Sequence, residues 1–124
     1  MNYTISISDD KKYIILKNTG KITSENVKQR IIEAHQVGEK YNLHCYLMDL
    51  VEANNTDTIV NNYDFAYKDM KENKGINMFA CVAFLVAEND HSHDFIETVL
   101  INAGYDIKLF RSKEKAIQYL LENS

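Results

Sequence analysis

The chain has 124 residues, 45% of them hydrophobic and 26% charged, with a formal net charge of -4. That length can bury one core without disulfide staples, so a single domain over residues 1–124 is expected. An acidic balance with scattered Lys and Arg excludes the basic surface that a nucleic-acid partner needs, and no apolar run is long enough to span a bilayer.

No basic leader or apolar signal core follows Met1, so a cytoplasmic protein with no integral membrane association is expected. "YTISIS", Tyr3 to Ser8, alternates apolar and polar residues as a half-buried strand does. The polar turn "DDKK" leads into "YIILKN", Tyr13 to Asn18. A link this short permits only an antiparallel hairpin. After Gly20 the period changes to that of a helix, with Ser24 as its cap. Val27, Ile31, Ala34 and His35 fall on one face, and Gly38 lies near the end. "LHCYLMDL" reads as a third strand. A second helix is expected from Thr56 or Asp57, with Ile59, Tyr63, Ala66 and Met70 as its inward stripe and a stop around "ENKG".

"MFACVAFLVA", Met78 to Ala87, is the most continuous apolar run and reads as a central strand. Both of its faces are apolar, so both need cover. Helices on the two sides of the sheet are the expected cover. "ENDHSHD" then turns into a third helix capped by Ser92 or Asp94, carrying Phe95, Ile96, Val99 and Ala103, with Gly104 as its stop. "DIKLF" is a fifth strand, and Ser112 caps a last helix whose Ala116, Ile117, Leu120 and Leu121 face inward. The order is ββαβαβαβα: an α/β domain with a mostly parallel sheet and one antiparallel edge strand.

Several chemistries fail on their motifs. The glycines Gly20, Gly38, Gly75 and Gly104 are isolated, so neither common phosphate-binding loop is present. Asp9, Asp10, Asp49 and Lys113 resemble a phosphoaspartate receiver set in order. However, Asp10 leads into a hairpin where a receiver needs a helix. Cys45 and Cys81 each sit in an apolar run, far from any C-x-x-C spacing, and read as small core residues. His91 and His93 in "DHSHD" are chemically suitable metal ligands, but spacing alone does not assemble four donors. The expectation there is a capped helix start with solvated histidines and no functional metal. No nucleophile, base and orienter come together, so neither catalysis nor a cofactor is expected.

The element order, together with "YLMDLVEANNTDT" and "IKLFRSKEKAIQYLLEN", resembles the SpoIIAA-like, STAS/SEC14-type family. The resemblance rests on Met48-Asp49-Leu50 at a strand end. It rests also on Ile107, Leu109, Phe110, Ser112, Ala116 and Tyr119-Leu120 over the last strand and helix. In the anti-sigma-factor antagonists of that family, a hydroxyl residue after the strand-end aspartate is phosphorylated by a kinase partner. Laid along this chain, that position falls on Thr58, preceded by Asp57. Ile59 and Val60 stand where the antagonist pattern continues with a second hydroxyl and a glycine. The resemblance implies a non-enzymatic regulatory domain that binds a protein partner, a second copy of the chain included. Its contact loop would comprise Asp49, Glu52, Asn54, Asn55, Thr56 and Asp57. The alternative it implies is a carrier of a small apolar or lipid-like ligand.

Overall fold

The computed structural model describes residues 2–70 and 75–124, apart from the side chains of Ile59 and Asp69. Strands β1 (Tyr3–Ile7) and β2 (Ile14–Ile22) form the opening hairpin. Ser8 closes its turn: the hydroxyl donates to Asp10 Oδ1 at 2.6 Å and accepts from the backbone N–H groups of Lys12 and Tyr13. The paired aspartates therefore belong to a turn. Helix α1 (Ser24–Tyr41) follows, then β3 (Cys45–Asn55) and α2 (Ile59–Asp64), which runs straight into a π-helical turn (Phe65–Asp69). Strand β4 (Cys81–Val86), helix α3 (Asp94–Asn102), strand β5 (Asp106–Phe110) and helix α4 (Lys113–Glu122) complete the chain.

The sheet order is β1-β2-β3-β4-β5, with β1 antiparallel to β2 and every other pair parallel. Each parallel step moves one strand in the same direction, and right-handed crossovers then place α1, α2 and α3 on a single face. Helix α4 folds back across the other face, packing on β3, β4 and β5. Both faces are covered as expected, three helices against one. The larger core lies under the three helices and includes Leu16, Met48, Leu50 and Phe84. The smaller one packs Cys45, Leu47, Cys81, Ala83 and Leu85 against Ala116 and Leu120 of α4.

Several local expectations are corrected. Thr23, not Ser24, caps α1, because its side chain and that of Asn26 form a reciprocal capping box. The helix continues past Gly38 to Tyr41 and stops at Asn42 in the left-handed region, φ 55°. Gly38 instead permits a close approach: a Cβ there would lie 2.9 Å from the Leu43 carbonyl and strike the Tyr46 hydroxyl. Strands β2 and β3 run on together, Thr19 to Ile22 pairing with Glu52 to Asn55 beyond a bulge, so much of the expected contact loop is strand. Strand β4 begins later than expected. Asn77 Oδ1 accepts from the Phe79 N–H at 2.9 Å in a tight turn, which leaves the Phe79 ring 89% exposed.

The stripe of the second helix also shifts. Thr58 caps it, and Tyr63 points outward while Asn62, Phe65, Ala66 and Met70 are buried. The Met70 N–H bonds to the Phe65 carbonyl, an i→i+5 step, and Ala66 and Met70 still face inward as expected. The expected stop around "ENKG" and the Ile59 side chain lie outside the described residues. In α3, Ile96, Val99 and Leu100 face inward and Phe95 is half exposed; in α4, Leu121 is exposed. Gly104, φ 101°, ends α3 as expected, the Tyr105 N–H reaching back to the Leu100 carbonyl.

Candidate functional site: an apolar cavity beneath a short helix

Helix α2 and its π turn pack beside α3, with Phe65, Ala66 and Met70 turned toward the sheet residues of the larger core. Between this segment and the strands a cavity of about 90 Å³ remains. Its floor is Leu16, Met48, Leu50 and Phe84; its roof includes Asn62, Phe65 and Met70; Val27 and Ile31 of α1 and Ile96 of α3 form the sides. Among the described residues no Asp, Glu, Lys or Arg lines it. The space extends along β3 from Tyr46 at one end to Asn55 at the other.

The Tyr46 end is closed by His35. Its ring stacks on Tyr46, centroids 4.4 Å apart and planes within 12°. His35 Nδ1 accepts the Asn77 N–H at 3.0 Å, so the ring proton sits on Nε2. Burial pushes the His35 pKa down to about 4 and that of Tyr46 up to about 12, so both walls are uncharged at neutral pH.

The other end is polar and lies at the carboxyl ends of the parallel strands, where open α/β sheets present their contacts. His93 is 2% exposed, and its Nε2 donates to the Ala53 carbonyl at 3.0 Å. Asn55 Nδ2 donates to Asn62 Oδ1 at 3.1 Å, while the Asn55 N–H bonds to Ser92 Oγ. Asp57 clasps this end. One carboxylate oxygen accepts from the Ser24 N–H and hydroxyl, each at 2.7 Å, and the other from the Thr58 N–H and Asn61 Nδ2. Burial alone would raise the Asp57 pKa; the bonds from Ser24, Asn61 and Thr58 outweigh it and hold the pKa at about 2. A single carboxylate thus joins the starts of α1 and α2.

The residues singled out in the sequence divide accordingly. Asn55, Asp57 and Thr58 gather at the polar end, and Thr56 ties the segment to the Ile22 carbonyl. Thr58 Oγ1 accepts the Asn61 N–H at 3.1 Å as the cap of α2, beside the anion that Asp57 already supplies. Asp49 sits on β3 on the α4 side, its Oδ1 accepting the Val51 N–H. Glu52 makes an exposed pair with Lys17 at 3.2 Å, and Asn54 is exposed on the strand extension opposite Lys21. His91 is exposed, with Nδ1 2.9 Å from Asp94, whereas His93 is buried rather than solvated. Loop closure around the Ala53 carbonyl, which the spacing of "DHSHD" does not reveal, draws it in. Among the described residues no three His, Cys, Asp or Glu side chains are grouped to hold a metal ion. The cysteines are free, buried and adjacent in register.

Asn62 and His35 are the cavity residues that sequence reading left without a role. For His35 the signal was a polar residue on the inward face of α1; Asn62 gave none, because the expected stripe put Tyr63 inward.

A solved structure shares this architecture: an uncharacterized protein of the DUF3478 family with a SpoIIAA-like fold, from Shewanella loihica PV-4. The two are 20% identical over 95% of this chain and 91% of that one, with a TM-score of 0.56. The fold is SpoIIAA-like. At that identity the likeness is one of fold. No family model matches the sequence, and no curated protein does. No helix among the described residues is long and apolar enough to cross a membrane.

Proposed function

We propose that this SpoIIAA-like domain binds a small, neutral, largely apolar molecule in the cavity between its sheet and α2. The observation that carries the reading is a mainly apolar cavity of about 90 Å³, lined among the described residues by no Asp, Glu, Lys or Arg. Interiors are normally packed to crystal-like density, and cavities larger than a few waters are few. An apolar cavity of about 150 Å³ admits benzene, so this one suits a slender guest rather than a whole phospholipid. The mainly apolar lining, with Leu16, Val27, Ile31, Leu50 and Phe84, supports binding as the role. The carrier alternative of the sequence analysis thereby moves ahead of the protein-interaction reading.

Methyl-resolved NMR tests this directly. Titration with 1-butanol or 2-butanone should shift the methyl signals of Val27, Ile31 and Leu50 in a saturable way. Shifts confined to surface methyls such as those of Val51 and Val60 would end the reading.

Regulatory protein binding stands second. It is favoured by the outward side of α2, where Val60 and Tyr63 are 66% and 52% exposed next to Thr58. A partner that senses a phosphate there would lose or gain affinity for Thr58→Glu. Unchanged pull-downs, with Thr58 unmodified in mass spectra of protein from its own host, would remove that form of it.

A further inference from the structure

The two edges of the sheet are finished differently. Strand β5 carries Asp106 and Lys108, and its Leu109 N–H donates to Glu97 Oε2 of α3 at 2.6 Å. Charges and covering side chains of this kind keep an edge from pairing with other chains. Strand β1 has no such guard. The segment from Asn2 to Ser8 contains no charged residue and no proline, and it pairs with β2 in unbroken register.

The hydrogen bonds of the hairpin fix which β1 groups face outward. The Ser8 N–H bonds to the Tyr13 carbonyl and the Thr19 N–H to the Asn2 carbonyl, each at 2.9 Å. Bonded residues alternate along an antiparallel ladder, so Asn2, Thr4, Ser6 and Ser8 turn their backbone groups to β2. The N–H and C=O groups of Tyr3, Ile5 and Ile7 therefore point away from the sheet. Their side chains pack against the larger core, yet each is only half-buried, because the layer ends at β1. None of these residues lines the cavity, so edge pairing is independent of ligand binding there.

We propose that this edge binds a second copy of the chain, β1 pairing antiparallel with β1 about a two-fold axis at Ile5. Such an axis sets Ile5 opposite Ile5, Tyr3 opposite Ile7 and Thr4 opposite Ser6. Each outward residue then exchanges both of its backbone groups, and two five-stranded sheets become one continuous sheet. A second copy fits because outward residues spaced evenly about Ile5 match themselves under that rotation. Two molecules of net charge -4 can also meet along this uncharged strand without setting like charges opposite each other.

Charge favours the pairing at the ends of the strand. Arg30 is 7% exposed, bonds Asn18 Oδ1 at 3.2 Å and lies over the Tyr3 ring, but forms no ion pair among the described residues. With Tyr3 opposite Ile7, the turn of the second copy brings its Asp9 to that end of β1. Asp9 is exposed and makes no side-chain hydrogen bond among the described residues. Helix α1 lies mainly over β2, so the two copies of α1 stand three strand spacings, roughly 14 Å, apart. Packed helices approach to about 8–10 Å, so these two do not collide.

The test reads association by sedimentation from about 1 µM to about 1 mM, with hydrogen exchange at the β1 amides. Pairing through so short a strand is weak, and a dissociation constant on the order of 10 µM is expected. The amides of Tyr3, Ile5 and Ile7 should gain protection as the dimer forms. Thr4 and Ser6 are exposed, so changing them leaves the single chain intact. Thr4→Lys with Ser6→Lys sets like charges across the axis and should weaken association about tenfold. Thr4→Lys with Ser6→Glu sets opposite charges there and should restore it. A native chain that stays monomeric throughout, or equal association of the two double variants, would overturn the pairing. So would a dimer in which those three amides gain no protection. Protection that arises only when a different protein is added would assign the edge to a foreign strand and remove the second copy as its occupant.

Discussion

One sheet is packed in two different ways. On the α4 face a single ten-residue helix closes over small side chains, and Cys45, Ala83, Ala116 and Leu120 are each 0% exposed. On the opposite face three helices share the cover, and a cavity remains under the shortest of them. The difference lies in what each helix packs on. Helix α4 sits directly on β3, β4 and β5. Helix α2 is held at its start by the Asp57 clasp to α1 and leans sideways on α3.

The largest break in this comparison is expected from Leu120→Ala. A fully buried leucine on the tightly packed face leaves a void that neighbours cannot fill, costing roughly 2–5 kcal/mol. Urea denaturation should show a lower midpoint with an unchanged slope. A loss near zero would mean that α4 is as loosely seated as α2.

The next effect lies at the closed end of the cavity. The His35 pKa is about 4 in the folded protein against about 6.5 unfolded, so the unfolded state takes up the proton first as pH falls. The stability that a neutral His35 contributes is complete above about pH 6.5 and is lost as pH drops toward 4, where it levels off. About 2.5 units correspond to roughly 3 kcal/mol. Denaturant stability measured at pH 7 and pH 4.5 should fall more steeply in the native chain than in His35→Gln. Parallel slopes in the two proteins would place the pH sensitivity elsewhere.

How far such features were legible in the sequence varies with their range. The strand and helix order could be read because it rests on local periodicity and on Gly and polar turns. The hairpin at the edge and the cap of α4 at Ser112 followed in the same way. The cavity was not legible, because it depends on how α1, α2 and α3 pack together over the sheet, which local periodicity does not encode. Asn62 faces inward in place of Tyr63, in step with Phe65, Ala66 and Met70 at helical spacing. His93 was read as solvated because only the fold brings the Ala53 carbonyl to its ring. Gly38 looked like a stop signal, and its purpose became visible only once Tyr46 packed against it.

Opposite signs are expected when methyl groups are added to the two faces. Ala83→Val overfills the α4 side and should destabilise by about 1–3 kcal/mol. Val27→Leu extends into empty space and should stabilise by about 0.5–2 kcal/mol while weakening ligand binding. Thermal unfolding of both variants, with the butanol titration repeated on Val27→Leu, reads the contrast. A destabilised Val27→Leu would show that the space closes readily in solution and that the two faces are packed alike.

The smallest expected effect concerns the clasp that keeps them different. Asp57 accepts from the first turn of α1 and from the start of α2, so Asp57→Ala frees donors at two helix starts. Loss of one such capping acceptor typically costs about 1 kcal/mol. Because the folded pKa is depressed to about 2, this contribution is present above the ordinary carboxylate value near 4 and fades as pH falls toward 2. That window lies below the one set by His35, so the two groups separate in a pH series. Native and Asp57→Ala proteins should differ in stability at pH 6 and converge near pH 2. With the clasp gone, α2 should also exchange its amide hydrogens faster than α3 does. Equal protection of the two helices in the variant would mean that α3, and not Asp57, holds α2 above the cavity.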